Sequence, residues 1–224
     1  MKIQTENLTK RFRVGASEIT AVNDVNMEIK QSELLAIIGR SGSGKSTLLN
    51  LISLNDFPTM GRIYINDADT KHLSYKERRE IRKIRMGFIF QTFNLFPTLS
   101  ALENVELPLS LAGKSQEEQH KRALSLLETV GLVQRTSHRP RQLSMGEMQR
   151  VAVARALANN PEIIIADEPT GKLDSKTAKE IITLLQNINR REKTTVVMAT
   201  HDEKIIDAAN LVYTMQDGRL KLDG

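Results

Sequence analysis

"LLAIIGRSGSGKSTLLNLI", residues 34–52, decides how the chain is built. Leu34 to Ile38 is a continuous apolar run, as expected of a strand covered on both faces, and residues 46–53 continue as a helix. Between them Gly39, Gly44, Lys45 and Ser46 satisfy G-x-x-x-x-G-K-[ST], and a strand before and a helix after is the setting that the pattern requires. Glycine at positions 39, 42 and 44 opens backbone angles closed to other residues, so that successive N–H groups turn toward one anion. The helix N-terminus adds about half a positive charge, Lys45 reaches the outer phosphates, and the Ser46 hydroxyl suits Mg²⁺. The bland alternative, a flexible link between strand and helix, does not account for the pattern in this setting.

A second element has to hold the metal. In "EIIIADEP", 162–169, an apolar strand delivers Asp167 and Glu168 at its carboxyl end, the edge where open parallel sheets bind ligands. Adjacent carboxylates at a strand end can take separate tasks: Asp167 is assigned to Mg²⁺ through water, and Glu168 to the attacking water as general base. Taken alone, the pair reads better as a solvated acidic turn; alongside the cradle that alternative gives way. "VVMATHD" repeats the geometry, with His201 set to touch the terminal phosphate or to orient the water, against the ordinary role of a structural imidazole. Gln91, closing "GFIFQ", is a neutral amide able to ligate a hard cation and accept from water.

Strands are also expected over Lys2 to Leu8 and Ile19 to Ile29, around the turn-like Val14-Gly15-Ala16-Ser17, and over 61–67 and 86–91. Residues 92–160 form a helical insertion, in which Ala123, Leu124, Leu126, Leu127 and Val130 keep helical spacing up to Gly131. Strands return at Glu162 to Ala166 and Thr194 to Ala199 around a helix over Ser175 to Arg190, which implies a right-handed crossover and a parallel sheet. Asp217-Gly218 marks a final hairpin. No apolar run approaches the roughly 18 residues needed to span a bilayer, and no segment resembles a secretory signal. Absence of cysteine excludes disulfides and thiolate metal sites. The net charge of +5 decides nothing alone, and with 4% aromatics and no Trp there are no stacking platforms for single-stranded nucleic acid. "YKERREIRKIR", 75–85, reads as a solvated helix face, with a surface for lipid headgroups or RNA as the alternative.

"QLSMGEMQRVAVARAL", 142–157, opens with a capping box, Ser144-x-x-Glu147, on an amphipathic helix with Val151, Ala154, Leu157 and Ala158 on its buried side. Here the chain resembles the ATP-binding cassette ATPases, whose signature L-S-G-G-Q or L-S-G-G-E precedes such a helix. The resemblance runs in order through the cradle at 39–46, Gln91, the signature at 143–147, Asp167-Glu168, the loop Gly171-Lys172-Leu173-Asp174, and His201.

That resemblance implies an α/β fold: a P-loop NTPase core with a mostly parallel sheet, an antiparallel β subdomain and an inserted α-helical subdomain. Residues 1–224 would form one cassette domain, with the core at 1–91 and 161–224 and the helical part at 92–160. It implies hydrolysis of ATP with Mg²⁺ between two copies of the chain. In cis, the ATP site would take Phe12, Gly39, Ser41, Gly42, Ser43, Gly44, Lys45, Ser46 and Thr47. In trans it would take Ser144, Gly146, Glu147 and Asp174, the last coupling the two sites. Glu168, His201, Lys45 and Gln91 would be catalytic, and Ser46, Gln91 and Asp167 would hold the metal. Phe12 would stack on adenine, unless it is an ordinary core residue.

Met145, Met148 and Lys172 depart from the common pattern, and Met145 strains the backbone if a positive φ is needed there. Residues 88–109 with "DEPTGKLDSKT" look like the branch of lipoprotein-releasing, macrolide-exporting and cell-division ATPases. Members work on the cytoplasmic face of the membrane under a permease whose helix docks beside the Gln91 segment. Phe93, Phe96, Leu99 and Leu102 are the expected groove residues, each equally readable as core. Export, or extraction of a substrate from the membrane, is the implied task. The alternatives are an ATP-driven regulatory clamp without transport, and a soluble cassette acting on DNA or ribosomes; no nucleic-acid partner is expected.

Overall fold

The computed structural model describes residues 1–15, 17–201 and 203–223; Ala16 of the expected turn and Asp202 beyond His201 lie outside the described residues. In chain order, β1 (Ile3–Val14), β2 (Ser17–Ile29), β3 (Leu34–Ile38), α1 (Lys45–Ile52), β4 (Met60–Ile65) and β5 (Ala68–Asp69) form the first part. They are followed by α2 (Tyr75–Arg85), β6 (Met86–Phe90), α3 (Ala101–Leu111), α4 (Gln116–Thr129) and α5 (Met145–Ala156). The chain closes with β7 (Ile163–Asp167), α6 (Ser175–Glu192), β8 (Thr195–Thr200), β9 (Leu211–Gln216) and β10 (Arg219–Asp223).

The strands make two sheets. One is antiparallel, in the order β2-β1-β4-β5; the other runs β10-β9-β3-β8-β7-β6 and is parallel except at β10. Each central strand is apolar throughout because both its faces are covered. Leu34, Ala36, Ile164, Ala166, Val196 and Met198 pack with the buried residues of α3 to α6. Leu35, Ile37, Ile163, Ile165, Val197 and Ala199 pack with α1 and the inner face of the antiparallel sheet. At the last hairpin Asp217 and Gly218 have φ of 48° and 78°, the pair of left-handed residues that a two-residue turn demands.

One expectation needs correction. Residues 75–85 do form a helix, but not a simple solvated face. Arg78 is 2% exposed, with its guanidinium 4.0 Å from the Phe57 ring centre and Nη2 donating to the Thr70 carbonyl at 3.0 Å. Arg82 donates to the Leu54 carbonyl at 2.6 Å. These contacts fasten α2 to the segment between α1 and β4 and to Thr70 just after β5, and burial is the main cause that lowers the pKa of both arginines.

The helices α3, α4 and α5 lie between β6 and β7 in sequence, and α5 sits directly on β6. Close approach is possible because residue 87 has no side chain: a Cβ on Gly87 would lie 2.4 Å from the Ala156 carbonyl oxygen. Gly87→Ala is therefore expected to destabilise the protein by about 2 kcal/mol, by forcing α5 away from the sheet. Urea unfolding measures this, and an unchanged midpoint contradicts the packing argument.

Candidate nucleotide site

The cradle leaves β3 at Gly39 and returns into α1 at Lys45. Gly44 caps the helix at φ 108°, and a Cβ there would come within 2.1 Å of the Ala21 carbonyl oxygen on β2. No other residue type fits that position without moving a strand. Lys45 is buried with its ammonium inside the curve of the loop, donating to the carbonyls of Gly39 at 2.7 Å and Arg40 at 3.1 Å. The Ser43 hydroxyl is buried without a hydrogen-bond partner among the described residues.

Register brings the other groups level with it. Ile38 pairs with Thr200, Ala199 with Asp167, and Asp167 with Phe90, so four parallel strands end together. Gly39, His201, Glu168 and Gln91 follow on the same ledge. Glu168 has φ 49° and donates its N–H to the Ala199 carbonyl at 2.8 Å, which turns its side chain back toward the cradle. Its Oε1 lies 3.9 Å from Lys45 Nζ, and its Oε2 lies 2.8 Å from His201 Nδ1 without the alignment of a hydrogen bond. Asp167 Oδ1 is buried with no hydrogen-bond partner among the described residues. Burial raises the Asp167 pKa, and the neighbouring Glu168 charge adds to the rise; the Ser46 hydroxyl and Lys45 oppose it. Gln91 reaches the turn after Glu168, its Nε2 lying 2.9 Å from where a Cβ on Gly171 would be.

Other residues singled out in the sequence stand apart from this ledge. Phe12 is 40% exposed with Lys10 Nζ 5.1 Å from its ring centre, so the core alternative does not hold. Ser144 caps α5 as expected: its hydroxyl accepts from the Glu147 N–H, while Glu147 accepts from the Ser144 N–H at 2.8 Å and from Arg135 at 3.0 Å. The Ser144 N–H and Arg135 hold the Glu147 carboxyl below the usual range. Among the described residues no hydrogen bond or ion pair joins 144–147 to the cradle. Met145 sits at the first helical position, without positive φ and with its side chain in solvent, so no strain arises there. Asp174 caps α6, accepting from the Thr177 hydroxyl at 2.6 Å and from the N–H groups of Lys176 and Thr177 at 3.0 Å each.

A groove of about 610 Å³ runs between α2, β6, α3 and α5. Of the four expected groove residues only Phe96 lines it, beside Phe88, Phe90, Pro108 and Leu111. Phe93 is buried and Leu102 packs against the core. Sequence reading also missed Gln149 and Arg155 on α5. The signal for Gln149 was present: a polar residue standing in the stripe of Ala152, Val153 and Ala156, all of them buried.

The family model described as ABC transporter matches residues 22–171. This chain is an ABC transporter ATP-binding protein. The cassette is 48% identical to the ABC transporter ATP-binding protein MJ0796 of Methanocaldococcus jannaschii, over 98% of this chain and 95% of that one. It is 44% identical to the macrolide export ATP-binding/permease protein MacB of Bartonella henselae, over 97% of this chain but 33% of that one. The solved dimeric cassette MJ0796 in a post-hydrolysis state bound to ADP and Pi superposes with a TM-score of 0.92 at 45% identity, covering 99% and 97% of the two chains. A second dimeric structure of MJ0796 gives 0.91 at 47% identity, covering 98% and 96%. The cassette has the α/β fold of that family and is an ATPase.

Asp167 gives a test that needs no nucleotide. Because its pKa lies above the ordinary 3.8, the folded protein holds the proton more tightly than the unfolded chain, which favours folding at low pH and is lost as pH rises through the folded value. Asp167→Asn should therefore raise the Tm of the ligand-free cassette at neutral pH, with a gain that shrinks as pH falls toward 3.8. A gain that persists at low pH, or a loss at neutral pH, contradicts the assignment.

Proposed function

We propose that two copies of this cassette close on two ATP molecules, each held in one copy's cradle and met by the other copy's Ser144–Gly146 turn. The supporting observations are that no hydrogen bond or ion pair among the described residues joins that turn to its own cradle, and that the α5 N-terminus has N–H groups that suit a phosphate. The dimeric state of MJ0796 agrees with it. Within one domain, residues 1–91 and 161–224 then form the ATP-binding core and 92–160 the helical part.

In this reading Gly39, Ser41, Gly42, Ser43, Gly44, Lys45, Ser46 and Thr47 cradle the phosphates. Phe12, exposed on the hairpin whose Ala21 touches Gly44, stacks on adenine. Ser144, Gly146, Glu147 and Asp174 act across the interface. Glu168 takes the proton of the attacking water, and His201 beside it orients that water and the outgoing phosphate. The oxygens present fit a hard cation: Asp167 Oδ1 is buried and unpartnered among the described residues, and the Ser46 hydroxyl lies beside its carboxylate. Ser46, Asp167 and Gln91 would hold Mg²⁺, which when bound neutralises charge on the phosphate oxygens. ATP bridging both copies favours the closed dimer, and loss of the bridging phosphate lets it open.

The opening and closing drives a separate membrane permease, in a task of export or of extraction from the membrane. Two observations support this. MacB relatives combine an ATP-binding part with a permease in one chain, and this cassette carries a groove edged by exposed Phe96 and Leu111. In this reading the cassette attaches peripherally to the cytoplasmic face of the membrane through that groove; no helix among the described residues is long and apolar enough to cross a membrane.

Glu168→Gln should bind ATP, lose about 10² to 10⁴ in turnover, and accumulate as an ATP-bound dimer. Gel filtration with saturating MgATP reads the outcome; a variant that stays monomeric or keeps its turnover overturns the reading.

A further inference from the structure

Two backbone turns of the site hold non-glycine residues in left-handed conformations, and one helix grips both. Glu168 has φ 49°, and Phe93 and Asn94, just beyond Gln91, have φ 60° and 48°. Asparagine enters this region readily, but glutamate and above all a buried phenylalanine adopt such angles where the surroundings impose them. Gln149 of α5, 0% exposed, donates from Nε2 to the carbonyl of Pro169, the residue after Glu168, at 2.6 Å. Near the other end of the same helix, Arg155 donates from Nη2 to the Phe93 carbonyl at 2.7 Å and from Nη1 to the Asn94 carbonyl.

Neither side chain is well explained as a stability device: Gln149 Oε1 is buried with no hydrogen-bond partner among the described residues. Burial lowers the Arg155 pKa, and among the described residues the hydrogen bonds of its guanidinium go to neutral carbonyls and to no carboxylate. A desolvated cation with such partners is a poor way to hold a fold together. What arginine supplies is a rigid planar fork that spans two successive carbonyls, which lysine does not reproduce. The stretch that follows, 96–100, is pinned independently: buried Asn104 of α3 accepts from the Phe96 N–H at 2.8 Å and donates to the Phe96, Leu99 and Ser100 carbonyls. The segment 93–100 is therefore held at both ends, and its Arg155 end is tied to the helix that begins at Ser144. That first turn is itself seated on α6, since a Cβ on Gly146 would fall 2.6 Å from Thr177 Cγ2.

We propose that Gln149 and Arg155 are positioning residues, through which α5 sets the Glu168 and Gln91 turns of its own site while its first turn is offered to the partner's nucleotide. This rests on the roles given above to Glu168 and Gln91. A rigid helix joined to both turns makes docking of the signature in one site and alignment of the base in the other a single movement.

The test uses the full chain carrying Gln149→Met, Gln149→Leu, Arg155→Lys or Arg155→Ala. Hydrogen exchange over 91–95 and 168–171 reads the turns, ADP affinity reads the cradle, and steady-state ATPase gives kcat and KM. Expected are faster exchange in the turn whose grip is lost, unchanged ADP affinity, and kcat lower by up to about a hundredfold. Arg155→Lys should not recover the rate, whereas added guanidinium should partly rescue Arg155→Ala. Should Gln149→Met fail to fold, Gln149→Leu removes the donor with a second apolar side chain of similar size. Unchanged exchange in the turns overturns the proposal, as does unchanged kcat. So does a fall in ADP affinity and Tm alongside kcat, which marks a merely structural role. Glu168→Gln in the same assay separates the two levels: normal turnover there sinks the reading of the site, and normal turnover in the Gln149 and Arg155 variants alone sinks this inference.

Discussion

Everything in this cassette depends on four parallel strands ending level. With Ile38, Thr200, Asp167 and Phe90 in neighbouring register, the residue after each strand becomes part of one site. A slip of one position on β7 would turn Asp167 and Glu168 to opposite faces and dismantle the site without removing a residue. Burial on both sides of the sheet enforces the register, and the Glu168 N–H bond to the Ala199 carbonyl locks the last step.

The site so assembled is electrostatically tense. Lys45 and Glu168 are largely withdrawn from water, Asp167 carries a raised pKa, and buried oxygens of Ser43 and Asp167 lack protein partners among the described residues. Such groups destabilise a fold unless a ligand completes them. In the reading proposed above, a nucleotide carrying several negative oxygens, with a hard cation, would supply what the protein lacks, and its binding energy would be available to move one copy against the other.

What was legible in the sequence was what local physics dictates. The cradle was readable because its backbone needs glycine, the central strands because double burial makes them apolar throughout, and the cap at Ser144 because the Ser144-x-x-Glu147 spacing carries the hydrogen bonds. Illegible features depended on partners distant in sequence. Arg78 looked solvated until Phe57 provided a ring to lie against, and Arg155 meets Phe93 across the junction of α5 and β6. Phe12 was assigned to adenine with an ordinary core place as its alternative, and the hairpin carries it past the edge of the packed sheet, which removes that alternative. The groove was expected from the right segment, but its walls come as much from α2 and the end of α3 as from the residues first named.

The central claim is that one copy holds only part of the machinery that splits ATP. Specific ATPase rate measured against cassette concentration, with association followed in parallel by sedimentation, tests it directly. The account predicts a rate per chain that falls on dilution together with the dimer population. A rate per chain that stays constant where no association is detectable would contradict it.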